Sequence, residues 1–447
     1  MKRNRLVATA VASTITLSFA LAACSGSDSD TSAETDTDSG SGDSAEAGDI
    51  TMWVAGGDTP DELREYLKTT FEAENEGSTL TIEQQEWPDL VTSLTTALPD
   101  EANTPDVVEV GNTQSPTFTN IGAFLDLTDM YDELGGDKLL QSFVEVGKVG
   151  DQNFALPYYF GSRYMFYRKD IWDAAGLEVP KTLSEFSDSA KELKTDDMSG
   201  FVIGGQDWRN GISWIFANGG DLATVDGEGQ WTSTFSSPES VKGLEQWQDL
   251  YTGASNAPAT AKDLAYWDFL NDGADGEDPE AATMMAPGWA RWSIGELTTN
   301  DDGDEVRDGM ADDSKYDIFA LPGTDGGIAP VFAGGSNLAI SAKSQHPELA
   351  KNLMRIIYSE EYQTMLGENG LGPANTDYTS SLGDDKFAKT TIETAEASKL
   401  TPAAPGWAAV EGANVLEEMF QKIAEGGDVA AVTAEYDEKI TPMLNQG

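Results

Sequence analysis

The chain has 447 residues, with 27 Lys and Arg against 78 Asp and Glu, and a formal net charge of −51. That balance excludes ordinary nucleic-acid binding, which needs clustered cations to neutralise phosphates. One cysteine excludes an intrachain disulfide, and one histidine beside one cysteine leaves no zinc site of the usual type.

The N-terminus reads as an export signal. Lys2, Arg3 and Arg5 form a basic region, and Leu6 to Ala20 form an apolar run too short to span a bilayer convincingly, so 1–23 is expected to be a signal peptide. Leu21-Ala22-Ala23-Cys24 resembles the lipobox of bacterial lipoproteins, which implies lipidation of Cys24 as the mature N-terminus. Loss of Lys2, Arg3 and Arg5 leaves 24 basic against 78 acidic residues, a mature charge of −54. Residues 24–48 are dominated by Ser, Asp, Thr, Gly and Ala, with too little apolar surface to offset ordering, and are expected to be a flexible tether.

From Asp49 onward nearly 400 residues remain, more than one hydrophobic core usually serves, so two lobes are expected. Ile50 to Val54 reads as a strand. Thr59-Pro60-Asp61 supplies a cap, a first-turn proline and an acid for a helix reaching Glu74. Leu80 and Ile82 mark a second strand, Pro88 to Leu98 a helix, and Asp106 to Val110 a third strand. This βαβαβ start defines an α/β fold class. Helices are also predicted over 169–175, 183–193, 238–252, 347–358 and 407–425, with strands near 164–168, 201–203 and 282–286. Acidic Gly/Asp segments at 271–280 and 300–312 read as surface loops; the Asn300, Asp302, Asp304 spacing fails as a calcium loop at Glu305 and Ala311.

Ligands of parallel α/β sheets gather beyond the carboxyl ends of strands. The segments there are Ala55-Gly56-Gly57-Asp58, Trp87-Pro88-Asp89 and Gly111-Asn112-Thr113-Gln114. Glycine permits close backbone approach, and the polar and aromatic residues supply hydrogen bonds and flat apolar faces. Tryptophan recurs beside turn residues in Asp207-Trp208-Arg209, Pro287-Gly288-Trp289 and Pro405-Gly406-Trp407. Pyranose rings offer apolar C–H faces rimmed by hydroxyls, so indole platforms among Asp, Glu, Asn and Arg suit a sugar. Trp53, Trp172, Trp214 and Trp247 fit strand or helix faces and are expected in the core.

Catalytic signals are weak. His346 precedes Pro347 at a helix start and reads as a surface or capping residue. Gly334-Gly335-Ser336-Asn337 is followed by Leu338, not the closing glycine of a nucleophile elbow. No phosphate loop is present, so any ATPase lies on another polypeptide. A glycoside-acting enzyme needs only two carboxylates, and that class stays open here beside an adhesion protein and a binder of a non-sugar polar solute.

The segment from Leu156-Pro157-Tyr158-Tyr159 through Arg163 to Lys169 resembles the crossover of family 1 extracellular solute-binding proteins, the sugar-binding subunits of ABC importers. Segments 105–112, 237–244 and 331–338 look like family segments in the expected order. Trp-Pro-Asp, Glu-x-Gly-Asn-Thr, Pro-Tyr-Tyr and Ala-Pro-Gly-Trp look most like actinobacterial binders of chitobiose or N-acetylglucosamine. The resemblance implies a type II periplasmic-binding-protein fold: lobe one at 49–159 and 288–341, lobe two at 160–287 and 342–447, with a hinge and a cleft. It further implies a non-enzymatic monomer without cofactor that closes on a carbohydrate and docks on membrane permease subunits. Asp58, Trp87, Glu109, Asn112, Tyr158, Arg163, Asp207, Trp208, Trp289, Gly335, Ser336, Asn337 and Trp407 are the expected ligand contacts. Trp289 and Trp407 are expected to stack on sugar faces, and Glu109, Asn112, Asp207 and Arg163 to bind hydroxyls.

Overall fold

A computed structural model of the protein describes residues 47–262, 266–273, 277–299 and 305–446. The expected signal peptide, Cys24 and the tether up to residue 46 lie outside the described residues, as do Asn300, Asp302 and Asp304.

The first sheet begins with β1 (Asp49–Ala55), β2 (Thr79–Gln85) and β3 (Val107–Gly111), joined by α1 (Asp61–Glu74) and α2 (Leu90–Ala97). β1 pairs in parallel with both β2 and β3, as the alternation of strand and helix predicts. Leu63, Leu67 and Phe71 recur every fourth residue and form the buried face of α1. They join Ile50, Met52 and Val54 in one core, each buried side chain contributing about 1.5–3 kcal/mol.

After α3 (Ser115–Asn120) come β4 (Leu156–Gly161) and β5 (Arg163–Arg168), separated by Ser162 alone. That single residue carries the chain between sheets. α4 (Trp208–Ala217) leads toward β6 (Thr283–Pro287) and β7 (Tyr316–Phe319), which flank β5 on either side in antiparallel pairing. β8 (Gly334–Ile340) then returns to the first sheet between β3 and β4, antiparallel to both, and the short β9 (Gly372–Pro373) adds at its edge. The first sheet is therefore ordered β9-β4-β8-β3-β1-β2 and the second β6-β5-β7.

The placement of segments differs from the expected lobe boundaries. β7 lies in the second sheet although 288–341 was assigned to lobe one. Helices Pro347–Ile357 and Glu360–Glu368 contribute Leu349, Leu353 and Leu366 to the core of the first sheet although 342–447 was assigned to lobe two. An amphipathic helix records that one face is buried, not which sheet buries it.

Three local expectations are also corrected. Pro60 occupies the cap position of α1 without a side-chain cap bond, because the Thr59 hydroxyl lies 3.1 Å from that of Tyr158 instead. Around Phe201–Ile203 only an isolated bridge, Val202 to Met284, forms. The helix expected over 407–425 is two, α5 (Trp407–Gly412) and Val415–Ala424. Asn414 breaks it at φ +54°, a left-handed conformation that asparagine tolerates.

Candidate functional site

The crossover brings four chain segments together. Gly161 pairs with Gly334, Arg163 pairs with Pro287, and Gly288 N–H donates to the Ser162 carbonyl at 2.9 Å. The end of β4, the start of β5, the Gly288-Trp289 turn and the start of β8 thus share one place.

On the first-sheet side, Asp58 and Trp87 both follow strands. Trp87 Nε1 donates to Asp58 Oδ2 at 2.8 Å, and the Tyr159 hydroxyl donates to the same oxygen at 3.1 Å. The indole lies over two glycines. A Cβ on Gly56, which has φ +55°, would come within 2.7 Å of the ring, and one on Gly111 within 3.2 Å. Glycine at these positions is what lets the ring lie flat. Gly335 is similarly constrained: its φ is +142°, and a Cβ would meet the Tyr159 carbonyl at 2.4 Å.

Glu109 is sealed beneath this edge, with no exposed surface. Its Oε2 accepts Ala55 N–H at 2.8 Å and its Oε1 accepts the Ser336 hydroxyl at 2.7 Å. Burial pushes its pKa up to about 7, against the lowering effect of the Ser336 and Ala55 bonds and with a further upward push from the Asp58 charge. The carboxylate, expected to bind hydroxyls, ties β1, β3 and β8 together in this structure. Asn112 and Asn337 are buried as well, donating to the carbonyls of Ala333 at 3.0 Å and Phe143 at 2.9 Å. Tyr158 is a core residue whose hydroxyl lies 2.7 Å from that of Tyr362. Its neighbour Tyr159 is the one that reaches Asp58. Successive strand residues face opposite sides, and the dipeptide alone does not say which faces the ligand edge.

On the second-sheet side, Arg163 Nη1 donates to Asn210 Oδ1 at 2.9 Å, and Asn210 Nδ2 donates to Asp207 Oδ2 at 2.6 Å and to the Met285 carbonyl at 2.9 Å. Asp207 also caps α4 by accepting Asn210 N–H at 3.0 Å. The Arg163 guanidinium stands 5.7 Å from the Phe332 ring centre.

Trp208 and Trp407 are buried, edge to face with ring centres 6.3 Å apart. Neither presents an open ring face in this structure, where Trp407 was expected to stack on a sugar and Trp208 to contact the ligand. Turn chemistry beside them misled, because each begins a helix whose apolar face is buried: Trp208 joins Ile212, Ile215 and Phe216 in the core. Trp289 is different. It is 55% exposed and stands perpendicular to Trp267 at 4.2 Å between ring centres. Of the tryptophans expected in the core, Trp172, Trp214 and Trp247 are there, while Trp53 is half-buried and donates to Glu83.

Sequence reasoning missed a polar group joining α3 to α5. Thr113 Oγ1 donates to Glu411 Oε2 at 3.0 Å, and Thr117 Oγ1 donates to the Pro405 carbonyl at 2.9 Å. Arg209 lies 3.8 Å from Glu411 Oε1 and 4.4 Å from the Trp208 ring centre. Thr113 follows a parallel strand and carried a signal. Glu411 was one acid among 78. No group of three or more His, Cys, Asp or Glu placed to hold a metal occurs among the described residues. The arrangement offers indole surface, carboxylates and amides, chemistry suited to holding a polar ring.

The profile of bacterial extracellular solute-binding proteins matches residues 56–364. The chain is 30% identical over 405 residues to the diacetylchitobiose binding protein DasA of Streptomyces coelicolor, covering 89% of this chain and 90% of that one. A putative binding protein of Brucella abortus is 24% identical over 430 residues, covering 90% and 95%. Among solved structures, the sugar-binding protein MalE of Xanthomonas citri superposes with a TM-score of 0.73 at 19% identity, covering 89% of this chain and 97% of that one. The GacH receptor of Streptomyces glaucescens does so with 0.68 at 19%, covering 90% and 99%. These likenesses establish the two-lobed periplasmic-binding-protein fold, and the family binds solutes rather than transforming them. The chain is a member of the bacterial extracellular solute-binding protein family.

Proposed function

We propose that this protein is the extracytoplasmic sugar receptor of an ABC-type importer, a monomer anchored through Cys24 to the outer face of the cell membrane and selective for a disaccharide. The observation that carries the reading is Trp289, a 55% exposed indole braced by Trp267 at the crossover. It emerges where Gly288 bonds to Ser162, three residues beyond Tyr159, which holds Asp58. A stacking face and a hydroxyl-binding edge thus meet at one junction between the sheets. The relative DasA, a diacetylchitobiose binder, makes that disaccharide the first to test.

Sugar held by both edges favours the form in which they are close, so occupancy shifts the lobes toward closure. The closed form then docks on the permease, and the acidic tether supplies reach from the membrane. Titration calorimetry with N,N′-diacetylchitobiose, cellobiose, maltose and their monosaccharides tests the ligand class. Disaccharide binding is expected to exceed monosaccharide binding, with the sugar recovered chemically intact by chromatography. Absence of heat with every sugar at millimolar concentration refutes the reading, and cleaved sugar refutes the receptor role. Replacement of Cys24 by Ser should move the protein from the membrane to the soluble fraction.

A further inference from the structure

Two carboxylates share one phenol. The Tyr159 hydroxyl donates to Asp58 Oδ2 at 3.1 Å, and the same hydroxyl is in hydrogen-bond contact with the sealed Glu109 and with Ser336. A phenol carries a single proton, so it serves one of the two acids at a time. Ser336 cannot relieve the shortage, because its own proton goes to Glu109 Oε1 at 2.7 Å. Asp58 therefore keeps the Tyr159 proton only while Glu109 does not claim it.

Asp58 Oδ2 also accepts Trp87 Nε1–H at 2.8 Å, so two donors fix this carboxylate at the end of β1. Ionised Glu109 is a charge-assisted acceptor that draws Tyr159 toward itself, and its charge opposes that of Asp58. Protonated Glu109 instead has a hydroxyl of its own to give to Ser336, which leaves Tyr159 to Asp58. The other ionisable side chains around Glu109 are Tyr158 on β4, Tyr362 on the helix Glu360–Glu368, and Arg64 on α1. Burial pushes both phenols well above the ordinary tyrosine range, so they stay neutral. Arg64 bonds the carbonyls of Thr59 at 2.8 Å and Gly56 at 3.3 Å, on either side of Asp58.

We propose that Glu109 and Tyr159 are positioning residues that set Asp58 for the sugar, and that the receptor binds carbohydrate more tightly with Glu109 protonated than with Glu109 ionised. This rests on the sugar-receptor reading above. A carboxylate pinned by two donors is preorganised, and an edge that need not be ordered on binding loses less affinity. Burial brings the Glu109 pKa up to about 7, so the tight form prevails below that pH and is lost as pH rises through it. Tight binding then favours the protonated form, and sugar takes up protons when it binds near neutral pH.

Calorimetry on the purified full chain with N,N′-diacetylchitobiose, cellobiose and maltose between about pH 6 and about pH 8.5, a span that brackets the Glu109 titration, tests this. The best-bound disaccharide should bind wild type at least threefold more weakly at the upper pH, with proton uptake read from buffers of different ionisation enthalpy. Glu109→Gln, which keeps a donor for Ser336, should bind at least threefold more tightly than wild type at the upper pH. Tyr159→Phe should bind at the weak level throughout. A structural defect does not produce a gain in one variant and a loss in the other, each with a flat profile. His346, the one histidine, packs on Gly48 at the opposite end of β1 from Ala55, and His346→Gln should keep the wild-type profile. Wild-type affinity constant within twofold, or a Glu109→Gln profile parallel to wild type, overturns the proposal. If Glu109→Gln fails to fold, Tyr159→Phe carries the test, and a wild-type slope in that variant overturns it. Wild-type protein that binds none of these sugars at any pH removes the receptor reading, and this inference with it.

Discussion

The two sides of the crossover are finished to different degrees. On the first-sheet side most polar groups have protein partners: Asp58 holds Trp87 and Tyr159, Glu109 holds Ala55 and Ser336, and Asn112 and Asn337 donate to carbonyls, while Asn337 Oδ1 and Gln114 Oε1 have none among the described residues. On the second-sheet side Trp289 presents its ring to solvent, and Trp208 Nε1 is buried with no hydrogen-bond partner among the described residues. Both sides keep some unspent bonding capacity, but the first is a bonded polar edge and the second presents an exposed aromatic face. A preorganised polar edge spares the ordering cost of binding, and an exposed ring gains most from being covered, which is how differential affinity for a closed state arises.

The largest effect that can break this comparison is on Trp208. Trp208→Ala should destabilise the protein by about 3–5 kcal/mol, the cost of a cavity in the core, read from denaturant unfolding. Stability close to wild type would mean the indole is a dispensable site residue after all. Glu109 comes next. Its folded pKa of about 7 lies above its ordinary value of 4.5, so between those values the folded state holds the proton that the unfolded chain releases. Its contribution to stability is therefore greatest at low pH, declines as pH rises from about 4.5 to about 7, and is level above; the whole change is on the order of 3 kcal/mol. Glu109→Gln should remove that component from the stability–pH curve, and a curve parallel to wild type would show that the Glu109 pKa is the same in the folded and unfolded states.

Trp289 sharpens the contrast from the exposed side. Trp289→Ala should weaken sugar binding by about 1–2 kcal/mol through lost stacking area, with folding stability changed by less than about 0.5 kcal/mol. Unchanged affinity removes Trp289 from the site. The smallest effect is expected at Thr117, whose bond to the Pro405 carbonyl crosses from α3 to the segment before α5. Thr117→Val should cost about 0.5–1.5 kcal/mol of that contact, seen as a modest loss of sugar affinity; a gain would place the bond in the open form.

Periodicity and turn chemistry made the parallel half of the first sheet legible. β1, β2, β3 and the helices between them fall where apolar alternation and spacing put them, because each element's signal lies within its own residues. The crossover was legible through the run from Leu156 to Lys169, and Asp58 and Trp87 through their place after strands. Less legible were Trp208 and Trp407, whose turn-like neighbours concealed a buried helix face, and Tyr158, whose side of the strand depended on register.

The amino-acid sequence by itself determined the α/β class, the parallel start and the acidic character, which local patterning and composition carry, and the family, which the resemblance of its motifs carries. Tertiary structure alone decided which sheet receives the segments after residue 288, that Glu109 is enclosed by Ala55 and Ser336, and that Glu411 meets Thr113 from 298 positions away. The reason is physical: burial and hydrogen-bond satisfaction are properties of a residue's surroundings, and residues far apart in the chain supply those surroundings only once it has folded.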